Sequence, residues 1–122
     1  MLTLEEGKFL VKLARQAIET YLTKGEELTA PRVSKKLLEP KGVFVTLTKN
    51  DELRGCIGHP IPTLPLVNAV IDAAISSATK DPRFPSVTKE ELPVIKVEVS
   101  ALTPPEVIKV ENPREYPKKI KI

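Results

Sequence analysis

The first 25 residues carry the clearest helical pattern in the chain. Apolar residues recur every three or four positions, and charged residues occupy the opposite face. Thr3 and Glu6 have the spacing of a capping box, in which a hydroxyl and a carboxylate each bond a free amide at the helix start. Gly25 suits a C-terminal stop. The pattern predicts an amphipathic helix over Leu4–Lys24.

Three runs further along have the pattern of β-strands. Residues 43–48 are rich in β-branched side chains and alternate in polarity, and residues 53–57 follow after a turn at Asn50 and Asp51. These two runs predict an antiparallel hairpin. Ile95–Ala101 places apolar side chains on one face and polar ones on the other, which predicts a third strand.

Two more helices are predicted, one before the first strand and one between the second and third strands. Residues 34–39, bounded by prolines, favour one short helix. Residues 64–79 predict a longer one that begins after Thr63, with Pro65 tolerated in its first turn. It is apolar apart from one narrow stripe: Asn68, Asp72, Ser76 and Thr79. We therefore expect this helix to be the buried one, packed across the sheet.

These elements predict an α+β fold, an antiparallel sheet with helices packed on it. A chain of 122 residues, 41% hydrophobic and 29% charged, is expected to form one globular domain over residues 1–122. Alternation resumes at residues 107–110 and 119–122, and the last run is cut off in mid-pattern. We therefore expect the domain to be incomplete at its C-terminus.

Charge and composition exclude some classes of function. The net charge is only +3 and the signs are interspersed, which argues against nucleic-acid binding. No apolar stretch is long enough to span a membrane and no secretory leader is visible. One cysteine suits a reducing compartment, so we expect a cytoplasmic protein. Few Asn, Gln, Cys and Met beside many Lys and Glu suggest heat adaptation and a thermostable protein.

The densest group of unusual residues is Leu-Arg-Gly-Cys-Ile-Gly in the second predicted strand. In a regular strand Arg54, Cys56 and Gly58 face one way, and Gly55 and Ile57 the other. Arg54 beside Cys56 would favour the thiolate, the form that attacks electrophiles. The glycines would leave the backbone open to a ligand. The alternative is a small buried cysteine with glycines that mark a bulge.

Two other features carry candidate chemistry. His59 is the only histidine, and strand direction puts it opposite Cys56 unless a turn at Gly58 swings it back to form a Cys-His pair. With no second Cys or His, we expect no metal site. Asp81 and Arg83 flank a proline, and such a rigid loop can present a guanidinium to a phosphate or carboxylate. Alternatively, the pair forms a salt bridge within the loop, with Phe84 packed in the core.

The hexapeptide at residues 53–58 resembles the signature of the AMMECR domain family, found from archaea to animals. The resemblance covers about residues 8–122. Further matching segments follow the family's order: residues 42–47, 65–66, 81–85, 97–100 and 102–104. The resemblance implies an α+β fold, with a cleft beside the signature. It implies no activity, because none is established for the family.

The resemblance also implies partners and site residues. Family members are often encoded beside, or fused to, Memo-type and radical S-adenosylmethionine proteins, which implies a shared modification pathway. The matching residues are Arg54, Gly55, Cys56, Ile57 and Gly58 in the signature, and Asp81, Arg83 and Phe84 in the later loop. His59 departs from the family pattern, where Thr or an aromatic residue is usual. The family's domain also continues beyond the length of this chain.

The leading hypothesis is an enzyme, or a subunit of one, in which Cys56 is a nucleophile or covalent anchor. Arg54 would activate the thiol and bind an anionic group, and Asp81 with Arg83 would position the substrate. The main alternative is a non-catalytic module that binds a protein or small ligand. Nucleic-acid binding is a weaker one, and would be strongly salt-dependent. No cofactor and no oligomeric state can be assigned from the sequence.

Overall fold

A three-stranded antiparallel sheet with helices on one face forms the part of the protein described here, residues 2–102 of a computed structural model. The elements in chain order are α1 (Leu4–Lys24), α2 (Lys35–Leu38), β1 (Val43–Lys49), β2 (Glu52–His59), α3 (Leu66–Thr79), a 3₁₀ helix (Lys89–Val94) and β3 (Ile95–Ala101). The predicted α+β class, with helices packed on an antiparallel sheet, is confirmed.

The sheet has the strand order β2-β1-β3, so β1 lies in the centre. The hairpin between β1 and β2 turns at Asn50 and Asp51, whose φ angles of 53° and 66° are those a two-residue type I′ turn requires. Val43, Val45 and Leu47 of β1 are fully buried beneath the helices. The residues between them point to the other face, which no described helix covers.

Helix α1 begins and ends where its sequence predicts. The Thr3 hydroxyl accepts a hydrogen bond from Glu6 N at 3.1 Å, and the Glu6 carboxylate accepts one from Thr3 N at 2.8 Å. Gly25 ends the helix in the left-handed conformation, with φ 69°. The buried face packs on α3 and β3: Leu10, Leu13, Ala14, Ala17 and Ile18.

Helix α3 is the buried helix, as its composition predicts. Ten of its 14 residues are buried, and it packs on α1, β1 and β2. The predicted start was wrong, because the helix begins at Leu66 and not after Thr63. Pro65 instead pairs with Pro40 in an isolated antiparallel bridge, and Leu66 N donates to the Glu39 carbonyl at 3.0 Å. These contacts hold Pro65 outside the helix, with φ −53° and ψ 143°.

The remaining boundaries differ little from expectation. The short helix predicted at residues 34–39 occurs as α2, and β2 is longer than the predicted 53–57. The runs predicted at 107–110 and 119–122 lie outside the described residues. None of the described helices is long and apolar enough to cross a membrane.

Candidate functional site

A buried carboxylate joins the loop after α3 to the strand that carries the only cysteine. The Asp81 side chain is 2% exposed, and its Oδ2 accepts a hydrogen bond from Cys56 N at 3.0 Å. Oδ1 accepts another from Arg83 N at 3.0 Å, which fixes the turn of the loop. Two motifs 25 positions apart in the sequence therefore form one site.

Arg83 completes this junction. Its Nε and Nη2 donate to the two Asp81 carboxylate oxygens at 3.0 and 2.7 Å, and Nη2 also reaches the Cys56 carbonyl oxygen at 3.5 Å. The Phe84 ring lies beneath the guanidinium, 5.4 Å from Cζ to the ring centroid. The bonds from Arg83 and from Cys56 N hold the pKa of Asp81 well below its usual range. The same ion pair raises the pKa of Arg83.

The Cys56 side chain lies on the face of the sheet opposite the helices. It pairs in register with Thr46 of β1, and the Thr46 hydroxyl lies 3.3 Å from Sγ, at hydrogen-bonding distance for a thiol. Cys56 is half-buried, so the sulfur is neither fully enclosed nor on an open loop. A hydroxyl beside the sulfur can donate to a thiolate and stabilise it.

The structure does not bring Arg54 to the thiol of Cys56. The register between β1 and β2 shifts by one residue after Leu47, so Arg54 is the extra residue of a β-bulge and simple alternation fails there. Its guanidinium bonds the carbonyl oxygens of Pro85 and Ser86 at 2.8 and 3.3 Å. The loop after α3 is therefore bonded to β2 at both ends, through Asp81 at its start and through Arg54 at Pro85 and Ser86.

Glu91 is the second anchor of Arg54. Its carboxylate accepts hydrogen bonds from Arg54 Nε and Nη2 at 3.2 and 3.0 Å, from Lys49 Nζ at 2.8 Å and from Thr88 N at 2.9 Å. The Arg54 bonds, with those from Lys49 and Thr88, lower the pKa of Glu91 to about 2. This cluster holds the 3₁₀ helix against the hairpin.

Gly55 and Ile57 face α3, where the helix approaches β2 closely. A Cβ on Gly55 would overlap the Ser77 carbonyl oxygen. The space that this glycine leaves is therefore filled by the backbone of α3. The Ser77 hydroxyl, 1% exposed, accepts from Ile57 N at 2.9 Å and donates to the Val45 carbonyl at 2.8 Å. Ser77 thus bridges β1 and β2 from the helix side.

Gly58 and His59 lie on opposite faces at the end of β2. Gly58 pairs with Phe44, whose ring covers it on the same outer face as Cys56, and any side chain on Gly58 would overlap that ring. His59 pairs with the core residue Val43, which places it on the helix face, and its Nε2 lies 3.2 Å from the Thr63 hydroxyl. The opposite placement of His59 and Cys56 agrees with the sequence prediction.

A groove elsewhere on the protein contains none of these residues. It has a volume of about 1010 Å³ and lies between the first half of α1 and the start of β3, with Leu4, Val11, Val94 and Val97 among its lining side chains. Within residues 2–102, no three His, Cys, Asp or Glu side chains lie together in a group that could hold a metal ion. The cleft that the resemblance implies beside Cys56 stays a prediction.

Sequence reasoning missed three residues that organise the site: Thr46, Ser77 and Glu91. Ser77 carried a usable signal, because a hydroxyl on the buried face of an apolar helix requires a hydrogen-bond partner. Thr46 carried none, and Glu91 carried only its capping-box spacing with Thr88, which the structure confirms but which does not point to Arg54 or Lys49. Their contacts depend on the strand register and on a loop conformation that local sequence does not encode.

Comparison with known proteins identifies the class to which this α+β domain belongs. The AMMECR1 family model matches residues 11–122. Protein MK0488 of Methanopyrus kandleri is 56% identical over 99% of this chain, and protein MJ0810 of Methanocaldococcus jannaschii is 55% identical over 100% of it. The crystal structure titled "uncharacterized protein PH0010", from Pyrococcus horikoshii, superposes with a TM-score of 0.82 over 95% of this chain, at 50% identity.

The chain belongs to the AMMECR1 family. These relatives are archaeal, and their names state no activity. The chain spans 60% of the length of the Methanopyrus kandleri and Pyrococcus horikoshii proteins, and 61% of the Methanocaldococcus jannaschii protein.

Proposed function

We propose that the protein is an enzyme, or a subunit of one, that uses Cys56 as a nucleophile or covalent anchor. The observation that supports this is the hydrogen bond from Cys56 N to the buried carboxylate of Asp81. A buried carboxylate loses hydration and is retained only where its hydrogen bonds compensate. Here those bonds fix both the strand segment that carries the thiol and the loop that presents a guanidinium to the Cys56 carbonyl.

The contacts favour a division of roles that differs from the one predicted. Cys56 Sγ would attack, and the Thr46 hydroxyl at 3.3 Å would hold the sulfur in place and stabilise its charge. Arg83 replaces Arg54 as the cation next to Cys56. Arg54 becomes a positioning residue, since its hydrogen bonds within the described residues go to Glu91 and to the carbonyl oxygens of Pro85 and Ser86.

The proposed pathway rests on the family resemblance alone. A protein that forms a covalent adduct through one cysteine suits a modification pathway, because the adduct can be handed to a second protein. Memo-type and radical S-adenosylmethionine proteins remain the proposed partners in that pathway. The described surface adds no specific contact for them.

A second candidate, a binding module, is favoured by the outer face of the sheet. Phe44 is 36% exposed and Leu53 is 42% exposed on that face. Exposed apolar side chains on a sheet face that no described helix covers suit contact with a partner. In this alternative, Cys56 and Arg83 would contact a partner without forming a bond to it.

Acyl transfer from p-nitrophenyl acetate distinguishes the two candidates. The Cys56 thiolate attacks the carbonyl carbon, a C–S bond forms, the ester C–O bond breaks and p-nitrophenolate leaves. Because the chain has one cysteine, intact-mass spectrometry assigns a thioester that hydroxylamine removes. We expect one such acetyl group on the native protein and none on Cys56→Ser. Equal labelling of both proteins would overturn the nucleophile and favour the binding module.

A further inference from the structure

The guanidinium of Arg83 is held in one orientation by contacts on two sides. Asp81 bonds the edge formed by Nε and Nη2, at 3.0 and 2.7 Å, and the Phe84 ring lies under one face. An arginine side chain otherwise loses considerable rotamer freedom when it binds a ligand. Here its orientation is already fixed before a ligand arrives.

The opposite edge of the same guanidinium is open. Within residues 2–102, Nη1 of Arg83 donates no hydrogen bond, and the side chain is 56% exposed. The free N–H groups of this cation suit the anionic oxygens of a carboxylate or phosphate. The cation also lies beside the Cys56 peptide, since Nη2 is 3.5 Å from the Cys56 carbonyl oxygen.

Arg54 differs from Arg83 in this respect. Its Nε, Nη1 and Nη2 all donate to Glu91, Pro85 or Ser86, and its side chain is 14% exposed. Of the two arginines that flank the site in sequence, only Arg83 therefore has an unused, accessible edge beside the Cys56 backbone.

We propose that Arg83 is the substrate-binding residue of the Cys56 site, and that the site takes small electrophiles carrying a carboxylate or phosphate group. The oxyanion would bind Nη1, and the electrophilic carbon would lie near Cys56 Sγ. Asp81 orients Arg83 and does not contact the substrate. This inference rests on the proposed function, because it requires Cys56 to react.

Two alkylating reagents that differ in charge test it directly. Iodoacetate carries a carboxylate and iodoacetamide does not. In both reagents the thiolate attacks the CH₂ carbon, a C–S bond forms and iodide leaves. The ratio of the two rate constants is measured on the native protein and on the urea-unfolded chain at equal ionic strength. We expect the native ratio to exceed the unfolded ratio by roughly two- to fivefold, the scale of an exposed ionic contact.

Arg83→Gln should lower the native ratio to the unfolded value. Arg32→Gln is the matched control, because Arg32 is exposed and makes no ion pair or side-chain hydrogen bond within the described residues; it should leave the ratio unchanged. Inorganic phosphate should also protect wild-type Cys56 from iodoacetate better than chloride at equal ionic strength. The phosphate measurement uses only wild-type protein, so it tests the proposal even where Arg83→Gln fails to fold.

The outcomes separate the two proposals. Native alkylation with an unfolded-like ratio and no phosphate protection would overturn the oxyanion subsite and leave Cys56 as nucleophile. A native protein whose Cys56 reacts with neither reagent would overturn both.

Discussion

Asp81 Oδ2 accepts the backbone N–H of Cys56 at 3.0 Å, and this bond joins the loop after α3 to strand β2. The same carboxylate holds Arg83 through its N, Nε and Nη2. The geometry of the junction between Cys56 and Arg83 therefore depends on one buried carboxylate.

Asp81→Asn should lower the free energy of unfolding, because the amide loses the charge that pairs with Arg83 and presents an NH₂ group to one of its donors. Asp72→Asn is the matched control, since Asp72 is exposed on α3, and it should change stability by less than about 0.5 kcal/mol. Urea unfolding at pH 7 measures both. Equal stability of the two variants would show that the Asp81 junction is not an anchor.

Ser77→Ala should destabilise the protein by about 1–3 kcal/mol, because it removes the buried hydroxyl that accepts from Ile57 N and donates to the Val45 carbonyl. Its neighbour Ser76 is only half-buried on the same helix. Ser76→Ala should stay within about 0.5 kcal/mol of wild type. Thermal or urea unfolding of the pair makes the comparison. A Ser77 variant as stable as the Ser76 variant would mean that the hydroxyl bridge is dispensable.

Gly55→Ala should cost about 1–3 kcal/mol, because the new methyl group overlaps the Ser77 carbonyl oxygen and the helix must move away. Gly7→Ala provides the contrast. Nothing lies within 4 Å of a Cβ on Gly7, and its place in α1 favours alanine. It should stabilise the protein by about 0.4–1 kcal/mol. Changes of the same sign in the two variants would contradict the close approach of α3 to β2.

Acid stability should depend on Glu91, whose pKa falls from 4.5 to about 2 on folding. A carboxyl with a depressed pKa stabilises the folded state above its unfolded value and loses that contribution as pH falls through the folded value. Wild-type stability should therefore decline between pH 4.5 and 2.

Glu91→Gln should lower stability at pH 7 and flatten that decline, while Glu90→Gln, an exposed neighbour, should do neither. Urea midpoints measured from pH 2 to 7 provide the test. A Glu91→Gln curve parallel to wild type throughout would show that the Arg54–Glu91 cluster does not titrate in this way.

The elements were predictable because α1, β1 and β3 follow a clear hydrophobic period and α3 is apolar on most of its surface. Both ends of α1 were also predictable from the residues at its ends, Thr3 and Glu6 at the start and Gly25 at the finish. The site was only partly predictable. Cys56 and Asp81 were found through their unusual surroundings in the sequence. The contact between Arg54 and Glu91 was not found, because strict alternation assumes a regular ladder and the bulge at Arg54 changes the direction of its side chain.

The central claim, that Cys56 is presented for chemistry by the folded protein, is tested most directly by iodoacetamide kinetics under native conditions. Intact-mass spectrometry follows the single thiol in native and in urea-unfolded protein at one pH. The account predicts a native rate that is proportional to reagent concentration and at least equal to that of the unfolded chain. A native rate independent of reagent concentration, and equal to the rate of unfolding, would show a cysteine that reacts only when the fold opens, and would contradict it.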